Sequence, residues 1–154
     1  MVEEPCFELR GVWVRIGPRV LVGDVSLAVP RRRTLALVGP SGAGKSTLLR
    51  LLNGLVWPHA GEVRFAGQPL RPDTLLAVRR RIGYVIQEGG LFPHLSAADN
   101  AALLVRHLRW PQARVRARLA ALAALVDLPP DALARRPREL SGGQRARVAL
   151  MRAL

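Results

Sequence analysis

A glycine-rich segment that ends in a lysine and a hydroxyl residue constrains this sequence more than any other feature. Residues 39–46 read Gly-Pro-Ser-Gly-Ala-Gly-Lys-Ser and match the pattern G-x-x-x-x-G-K-[ST]. Glycine adopts backbone torsions that are closed to other residues, so successive N–H groups of such a loop can turn inward around an anion. A chain of this composition would contain the match by chance in roughly 4 cases of 10,000. The segment therefore predicts a binding loop for phosphate groups.

The residues around this loop favour a strand before it and a helix after it. Residues 35–38 are apolar at every position, which is typical of a strand buried on both faces of a parallel sheet. After Lys45, leucines recur at helical spacing, and Gly54 is placed for a C-cap. The positive end of such a helix would face the loop. We therefore expect Lys45 to reach the β- and γ-phosphates of a nucleoside triphosphate and Ser46 to ligate Mg²⁺.

Arginine supplies almost all of the basic charge. Of the 24 basic side chains only Lys45 is a lysine, and 11 acidic side chains leave a net charge of +13. The planar fork of arginine cannot replace a compact ammonium among backbone N–H groups. The use of lysine at this one position therefore supports the prediction of a phosphate-binding loop. The charge is compatible with a nucleic-acid face or with contact to anionic lipid, but we favour a solvated, arginine-rich helical surface.

Composition excludes several classes of protein. Apolar residues make up 49% of the chain, which is enough for a real core and excludes intrinsic disorder. One cysteine, Cys6, excludes a disulfide framework and a cysteine-based zinc cluster. No apolar run has the ~18 residues of a membrane span, and we expect no secretory signal. These features indicate a protein that is soluble or peripheral to a membrane.

The remaining patterns predict an α/β protein with two parts. The strand-rich part is placed at residues 1–88 and the helical part at residues 89–154. Strands are expected at residues 7–14, 25–29, 35–38, 62–66 and 82–86. Helices are expected at residues 96–109, at residues 112–127, between Pro130 and Pro137, and after the Ser-Gly-Gly of residues 141–143. Ser96, three residues before Asp99, is expected to cap the first of these helices.

A second motif, Leu-Ser-Gly-Gly-Gln at residues 140–144, precedes the last predicted helix. Taken alone, Ser141 with two glycines is either an ordinary N-cap or an anion site at a helix N-terminus. Together with the phosphate loop, the motif resembles the signature of the nucleotide-binding domain of ABC transporters. Gln87, which follows an apolar segment, matches the Q-loop glutamine of that family. The resemblance implies a P-loop NTPase core with an N-terminal antiparallel β part and a helical subdomain, incomplete at the C-terminus.

The resemblance also implies a site for ATP and Mg²⁺. Lys45 and Gln87 would be the catalytic residues, and Ser46 and Gln87 would ligate the metal ion. The segment 141–143 would bind the γ-phosphate held by the loop of a second subunit, which implies a head-to-tail dimer of ATPase subunits. The residues that would bind the nucleotide are Gly39, Pro40, Ser41, Gly42, Ala43, Gly44, Lys45, Ser46, Thr47, Gln87, Ser141, Gly142, Gly143 and Gln144.

The family further implies a membrane permease as partner, a substrate-binding protein as an indirect partner, and a location on the inner face of the plasma membrane. Residues 81–95 resemble importer ATPases for osmoprotectants such as glycine betaine and choline. Residues 87–110 would form the groove for a permease helix, with Leu91, Phe92 and Leu95 either contacting that helix or packing internally. ABC-type ATPases that act on DNA share both motifs, but the short step from Gln87 to residue 141 leaves no room for their insertions. We expect no nucleic-acid partner.

Two features depart from the family pattern. Ile16 stands where the family usually has an aromatic ring that stacks on adenine, and the nearest aromatic residue, Trp13, is equally compatible with a role in the sheet core. The sequence also ends before the Asp-Glu pair and the switch histidine of the family, and His59, His94 and His107 lie in other segments. We therefore expect an N-terminal fragment with weak Mg-ATP binding and negligible ATPase activity. The alternative is a non-catalytic ATP-binding remnant, and either would expose a sheet edge beside residues 35–38.

Overall fold

The computed structural model describes residues 4–87 and 89–154. The chain divides into two compact units at the Arg81–Ile82 bond. The first unit contains the sheet and the phosphate loop, and the second unit is helical. The boundary that the sequence predicts, after residue 88, lies slightly further along the chain.

A four-stranded antiparallel sheet forms the base of the first unit. The strands are β1 (Phe7–Ile16), β2 (Arg19–Val29), β3 (Ala60–Phe65) and β4 (Gln68–Pro69), arranged in the order β2-β1-β3-β4. Every neighbouring pair is antiparallel. This confirms the predicted antiparallel β part, and the strands predicted at residues 7–14, 25–29 and 62–66 all lie within it or overlap it.

Two short helices accompany the sheet, α1 (Lys45–Leu52) and α2 (Leu75–Arg79). Leu9, Val12 and Val14 of β1 are buried, with a register shift between Leu9 and Val12. Helix α1 packs on the sheet through contacts with β2 and β3. A fully buried aliphatic side chain of this kind contributes about 1.5–3 kcal/mol. The buried core residues of this unit are Leu9, Val12, Val14, Val22, Leu51, Val63 and Leu70.

The C-terminal end of α1 has the predicted glycine cap. Gly54 follows the C-cap residue Asn53 and has a φ of 65°. Its amide donates to the carbonyl oxygen of Leu51 at 3.1 Å, and the amide of Leu55 donates to that of Arg50 at 2.9 Å. These are the two hydrogen bonds of a Schellman motif. The helix that follows the phosphate loop therefore ends in a defined geometry.

Two of the predicted strands are wrong. Residues 35–38 and residues 82–86 have apolar sequences that are typical of strands, but neither segment forms a strand in the structure. The side chain of Val38 is 93% exposed and that of Leu35 is 43% exposed. A strand that is apolar on both faces forms only between neighbouring strands and beneath covering helices. Within the described residues of each unit, no strand pairs with these segments, so they stay outside the sheet.

The described residues of the second unit, 82–87 and 89–154, form four α-helices and two 3₁₀ turns. The helices are α3 (Ala97–Ala101), α4 (Leu103–His107), α5 (Gln112–Leu125) and α6 (Gly142–Ala153), and the turns are Pro130–Ala134 and Pro137–Glu139. Their core is centred on residues from α3, α5 and α6, among them Ala97, Val115, Leu119, Leu122, Val148 and Met151. None of the helices in the part of the chain that the structure describes is long and apolar enough to cross a bilayer.

The helix predicted at residues 96–109 is interrupted once. The backbone at Ala102 leaves helical torsions and separates α3 from α4. The i→i−4 hydrogen bonds nevertheless continue, because the amide of Ala102 donates to Ala98 and its carbonyl accepts from Arg106, both at 2.9 Å. The predicted cap at Ser96 is confirmed, since its hydroxyl oxygen accepts the Asp99 amide at 3.0 Å.

Candidate nucleotide-binding site

The phosphate loop is packed closely against the sheet of the first unit. Gly42 and Gly44 both adopt left-handed backbone conformations, with φ values of 83° and 84°. A Cβ atom on Gly44 would lie 2.5 Å from the carbonyl oxygen of Leu21 in β2. Glycine is therefore required at this position by torsion and by space together. The close approach fixes the end of the loop directly over β2.

The N-terminus of α1 is open toward the loop. Gly44 is its N-cap residue and has no side chain with which to cap the helix. The first N–H groups of any α-helix lack acceptors within the helix. The first turn of α1 contains no acidic residue that could neutralise them. The partial positive charge of the helix end is thus directed at the loop, in the arrangement that binds phosphate and sulfate.

The ammonium group of Lys45 lies against the backbone of the loop. Its Nζ atom donates to the carbonyl oxygens of Gly39 and Pro40, each at 2.7 Å. An ammonium has three N–H donors, so one remains for an additional acceptor such as a phosphate oxygen. The two carbonyls hold a compact cation at the loop, which explains why this position takes the single lysine of the chain.

The hydroxyl groups of the loop are accessible. Ser41 and Ser46 are exposed, and Thr47 is half-buried in the first turn of α1. Mg²⁺ prefers oxygen ligands and usually binds through a few protein oxygens and substrate phosphates. Among the described residues there is no cluster of three or more His, Cys, Asp and Glu side chains that could hold a metal ion. The donor set at this loop therefore fits Mg²⁺ that is shared between Ser46 and a bound phosphate chain.

Gln87 belongs to the second unit, whereas the phosphate loop belongs to the first. Its side chain is exposed. The loop that follows it is held by α6, because the guanidinium group of Arg152 donates to the carbonyl oxygens of Gly89 and Gly90 at 2.8 and 2.7 Å. Partial burial lowers the pKa of Arg152 from its ordinary value. The loop that follows Gln87 is thus joined to the last turn of α6.

The signature segment forms the N-terminus of α6. The Ser141 hydroxyl oxygen accepts the Gln144 amide at 3.2 Å, and the Gln144 side-chain oxygen accepts the Ser141 amide at 2.9 Å. These reciprocal bonds form a capping box. The N-cap interpretation of Ser141 is therefore confirmed, while the anion-site interpretation stays a prediction. Ser141, Gly142 and Gly143 are all exposed.

The two residues considered for adenine stacking differ in exposure. Trp13 is half-buried in β1, and a Cβ on Gly23 would lie 3.2 Å from its ring carbon Cζ3. The Arg15 guanidinium lies 5.3 Å from the centre of the Trp13 ring. Ile16, at the end of β1, is 69% exposed. Trp13 is thus engaged within the sheet, and Ile16 is the side chain that a ligand could reach.

Arg19 is a residue near the loop to which the motifs do not point. It begins β2 and pairs with Ile16 across the hairpin. Its Nη2 atom lies 3.9 Å from the position that a Cβ atom would take on Gly42. The register of the β1–β2 hairpin brings this side chain to the loop. The motifs in the sequence do not predict that register.

Comparisons with known proteins agree with these features. The profile of the family described as "ABC transporter" matches residues 22–154. The chain is 44% identical over 138 residues to the glycine betaine uptake system ATP-binding protein YehX of Escherichia coli (strain K12), covering 90% of this chain and 45% of that protein. It is 45% identical over 149 residues to the Fe(3+) ions import ATP-binding protein FbpC 1 of Rhodococcus jostii (strain RHA1), covering 96% and 42%.

A solved structure shows the same fold. It is the dimeric post-hydrolysis state of the ATP-binding cassette MJ0796 bound to ADP and Pi, with a TM-score of 0.84 and 31% identity, covering 96% of this chain and 68% of that one. The chain spans about 35 to 45% of the length of curated relatives that it matches. Because the family profile extends over most of the sequence and includes both the phosphate loop and the signature segment, the chain belongs to the ABC transporter family.

Proposed function

We propose that this chain binds Mg-ATP at its phosphate loop and, as part of an importer, uses it to drive uptake through a membrane permease. The observation that carries the proposal is the geometry of residues 39–46, in which left-handed glycines, an open helix N-terminus and the Lys45 ammonium converge. ATP supplies a phosphate anhydride whose cleavage releases free energy. The loop would bind its β- and γ-phosphates through backbone N–H groups and Lys45, and Ser46 would ligate the Mg²⁺.

A titration with a fluorescent ATP analogue tests this proposal. We expect saturable, Mg²⁺-dependent binding by the wild-type chain and a loss of at least about tenfold in affinity for Lys45→Ala, because a charge-assisted hydrogen bond is lost. Equal affinity of the two proteins would contradict the proposal. The folded state of the variant is checked by circular dichroism.

The signature segment supports a second half of the site. Gly143 lies in the first turn of α6 with no atom within 4 Å of the position of its Cβ, so packing does not require glycine there. Glycine nevertheless costs a helix about 0.8–1.0 kcal/mol relative to alanine. We infer that the exposed segment of residues 141–143 binds the γ-phosphate on the loop of a second subunit, which would give a head-to-tail dimer.

Gly143→Ala separates this role from folding. The substitution should leave the thermal stability of the chain equal or higher, because alanine favours the helix. It should also weaken ATP-dependent dimerisation, because a methyl group would stand between the segment and the phosphate. Sedimentation velocity with and without Mg-ATP measures the second effect. An ATP-induced dimer that is unchanged in Gly143→Ala would exclude the proposed contact.

Gln87 would connect the nucleotide site with the permease. Its exposed side chain suits a ligand of Mg²⁺ that also contacts the attacking water, and residues 87–110 would receive the permease helix. In this arrangement the protein acts on the inner face of the plasma membrane, with a substrate-binding protein as an indirect partner. Contact sites are testable by crosslinking from Phe92, whose side chain is 47% exposed.

Osmoprotectants are the substrates that we propose for the importer. A relative named for glycine betaine uptake and one named for Fe(3+) import match this chain with almost equal identity. Other subunits would select the substrate. We base the choice of osmoprotectants on the resemblance of residues 81–95 to osmoprotectant importer ATPases. Uptake of labelled glycine betaine should depend on Lys45 in cells that carry the system, and dependence of ferric iron uptake alone would contradict the assignment.

ATP binding without turnover is the second candidate for the isolated chain. The first turn of α1, which follows the phosphate loop, has no acidic side chain that could serve as a base there. Phosphoryl transfer to water needs a group that orients or deprotonates that water. We therefore expect phosphate release by the chain at the level of a Lys45→Ala control, and a rate well above that control would show that the chain is an ATPase by itself.

A further inference from the structure

Arg19 occupies a position that the two sequence motifs do not explain. It follows the turn between β1 and β2, and its side chain is exposed. The Nη2 atom lies 3.9 Å from the position of a Cβ on Gly42, in the middle of the phosphate loop. The guanidinium group therefore lies next to the phosphate loop.

Positive charge is concentrated at this position. Arg19, like most arginines of the chain, forms no ion pair with an acidic side chain among the described residues. The adjacent loop already contains the Lys45 ammonium and the positive end of α1. Three positive groups around one loop repel each other until an anion is bound between them. The arrangement favours a ligand that carries several negative charges.

We propose that Arg19 is a third cationic group of this site and binds the phosphate chain of the nucleotide directly. The inference rests on the proposed nucleotide binding and adds a residue to it. Lys45 acts as a point charge within the loop, whereas the planar guanidinium of Arg19 offers two parallel N–H donors to a phosphate group. Its contribution to the binding affinity should depend on the charge of the phosphate chain and not on the base.

Calorimetric titrations with sodium tripolyphosphate and with Mg-ATP test the proposal. Arg19→Ala should weaken the binding of both by a similar factor of about tenfold. Arg19→Lys keeps the charge but loses the paired donors, so it should fall between the wild type and Arg19→Ala. Arg15→Ala is the matched control, since Arg15 is exposed on the same hairpin but stacks over Trp13. It should stay within about twofold of the wild type.

The outcomes separate this inference from the proposed function. If the wild type binds both ligands and Arg19→Ala matches Arg15→Ala, the role of Arg19 is excluded and nucleotide binding stands. If Arg19→Ala weakens ATP but leaves tripolyphosphate unchanged, Arg19 contacts the base or ribose and the inference is again wrong. If tripolyphosphate binding depends on Arg19 while ATP does not bind, the proposed function fails, and the assignment of Arg19 to a nucleotide site fails with it. A wild type that binds neither ligand overturns both.

Discussion

At the scale of single residues, Lys45 shows how the backbone can select a side chain. Two carbonyl oxygens, 2.7 Å from its Nζ atom, define a small pocket of negative potential that suits a compact cation. The guanidinium group of arginine is larger and planar and has its donors in a fixed fork. A chain that otherwise uses only arginine for its basic side chains has lysine at this position. The chemistry of the loop, and not the average composition, determines the residue.

Lys45→Arg should therefore behave more like Lys45→Ala than like the wild type. The charge is kept, but the fork cannot donate to both Gly39 and Pro40 and also reach a phosphate. We expect a loss of ATP affinity of about tenfold or more, measured with the fluorescent analogue. An affinity of Lys45→Arg within twofold of the wild type would show that charge alone is sufficient.

Asp99 gives the fold a dependence on pH. A hydrogen bond from the Ser96 hydroxyl at 2.6 Å, with a smaller contribution from Arg106, lowers the pKa of its carboxyl group in the folded chain. A lowered pKa stabilises the folded state at pH values above the ordinary aspartate pKa of about 3.9, and this stabilisation is lost as the pH falls through the lowered value. The carboxylate also lies in the first turn of α3, where negative charge is favourable.

Asp99→Asn should lower the free energy of unfolding at pH 7 by no more than about 1 kcal/mol, because the pair with Arg106 is partly exposed. The difference from the wild type should shrink as the pH falls below the ordinary aspartate pKa of about 3.9 and vanish only below the lowered pKa of Asp99. Urea denaturation over a pH series measures it. Ser96→Ala removes the main cause of the shift, so the double variant should lose less than the sum of the two. A constant difference at all pH values would exclude the titration of Asp99 as the cause.

At the scale of elements, the motifs with local causes could be predicted and those with distant partners could not. The cap at Ser141, the cap at Ser96 and the glycine end of α1 depend on residues within a few positions, and the sequence alone predicts all three. The strand at residues 35–38 depends on neighbours elsewhere in the chain, so its apolar sequence predicted a pairing that the described residues do not provide. Arg19 is missed for the same reason, because a hairpin register places it.

Gly44→Ala tests how tightly the loop is joined to the sheet. Alanine at a φ of 84° costs about 1–2 kcal/mol, and its Cβ would also lie 2.5 Å from the Leu21 carbonyl oxygen. Gly17→Ala is the matched control, since Gly17 has a φ of 56° but no atom within 4 Å of its Cβ position. We expect a larger loss of stability in urea denaturation for Gly44→Ala. Equal losses would mean that torsion alone matters at Gly44.

At the scale of the whole molecule, charge and exposed apolar surface have opposite effects on solubility. The net charge of +13 keeps copies of the chain apart at low salt. Val38 and Leu35 in the first unit and Val85 and Ile86 in the second are large apolar side chains that remain 43% exposed or more. Extended apolar segments that are outside a sheet are templates for pairing between chains. Self-association should therefore increase as salt screens the charge.

Val38→Lys should reduce that self-association, because it places a charge at the end of the apolar segment 35–38. Leu125→Lys is the control, since Leu125 is 71% exposed but lies in helix α5, where the backbone is already paired. Light scattering at increasing salt compares the three proteins. A larger effect of Leu125→Lys would show that general surface hydrophobicity, and not the extended segment, causes association.

The contact of Arg152 with Gly89 and Gly90 has a mechanical consequence. Helix α6 is about 18 Å long at 1.5 Å per residue, with Ser141 at one end and Arg152 near the other. The last turn of this helix and the loop after Gln87 are joined by two directional, charge-assisted hydrogen bonds. A displacement of α6 would therefore be passed on to that loop.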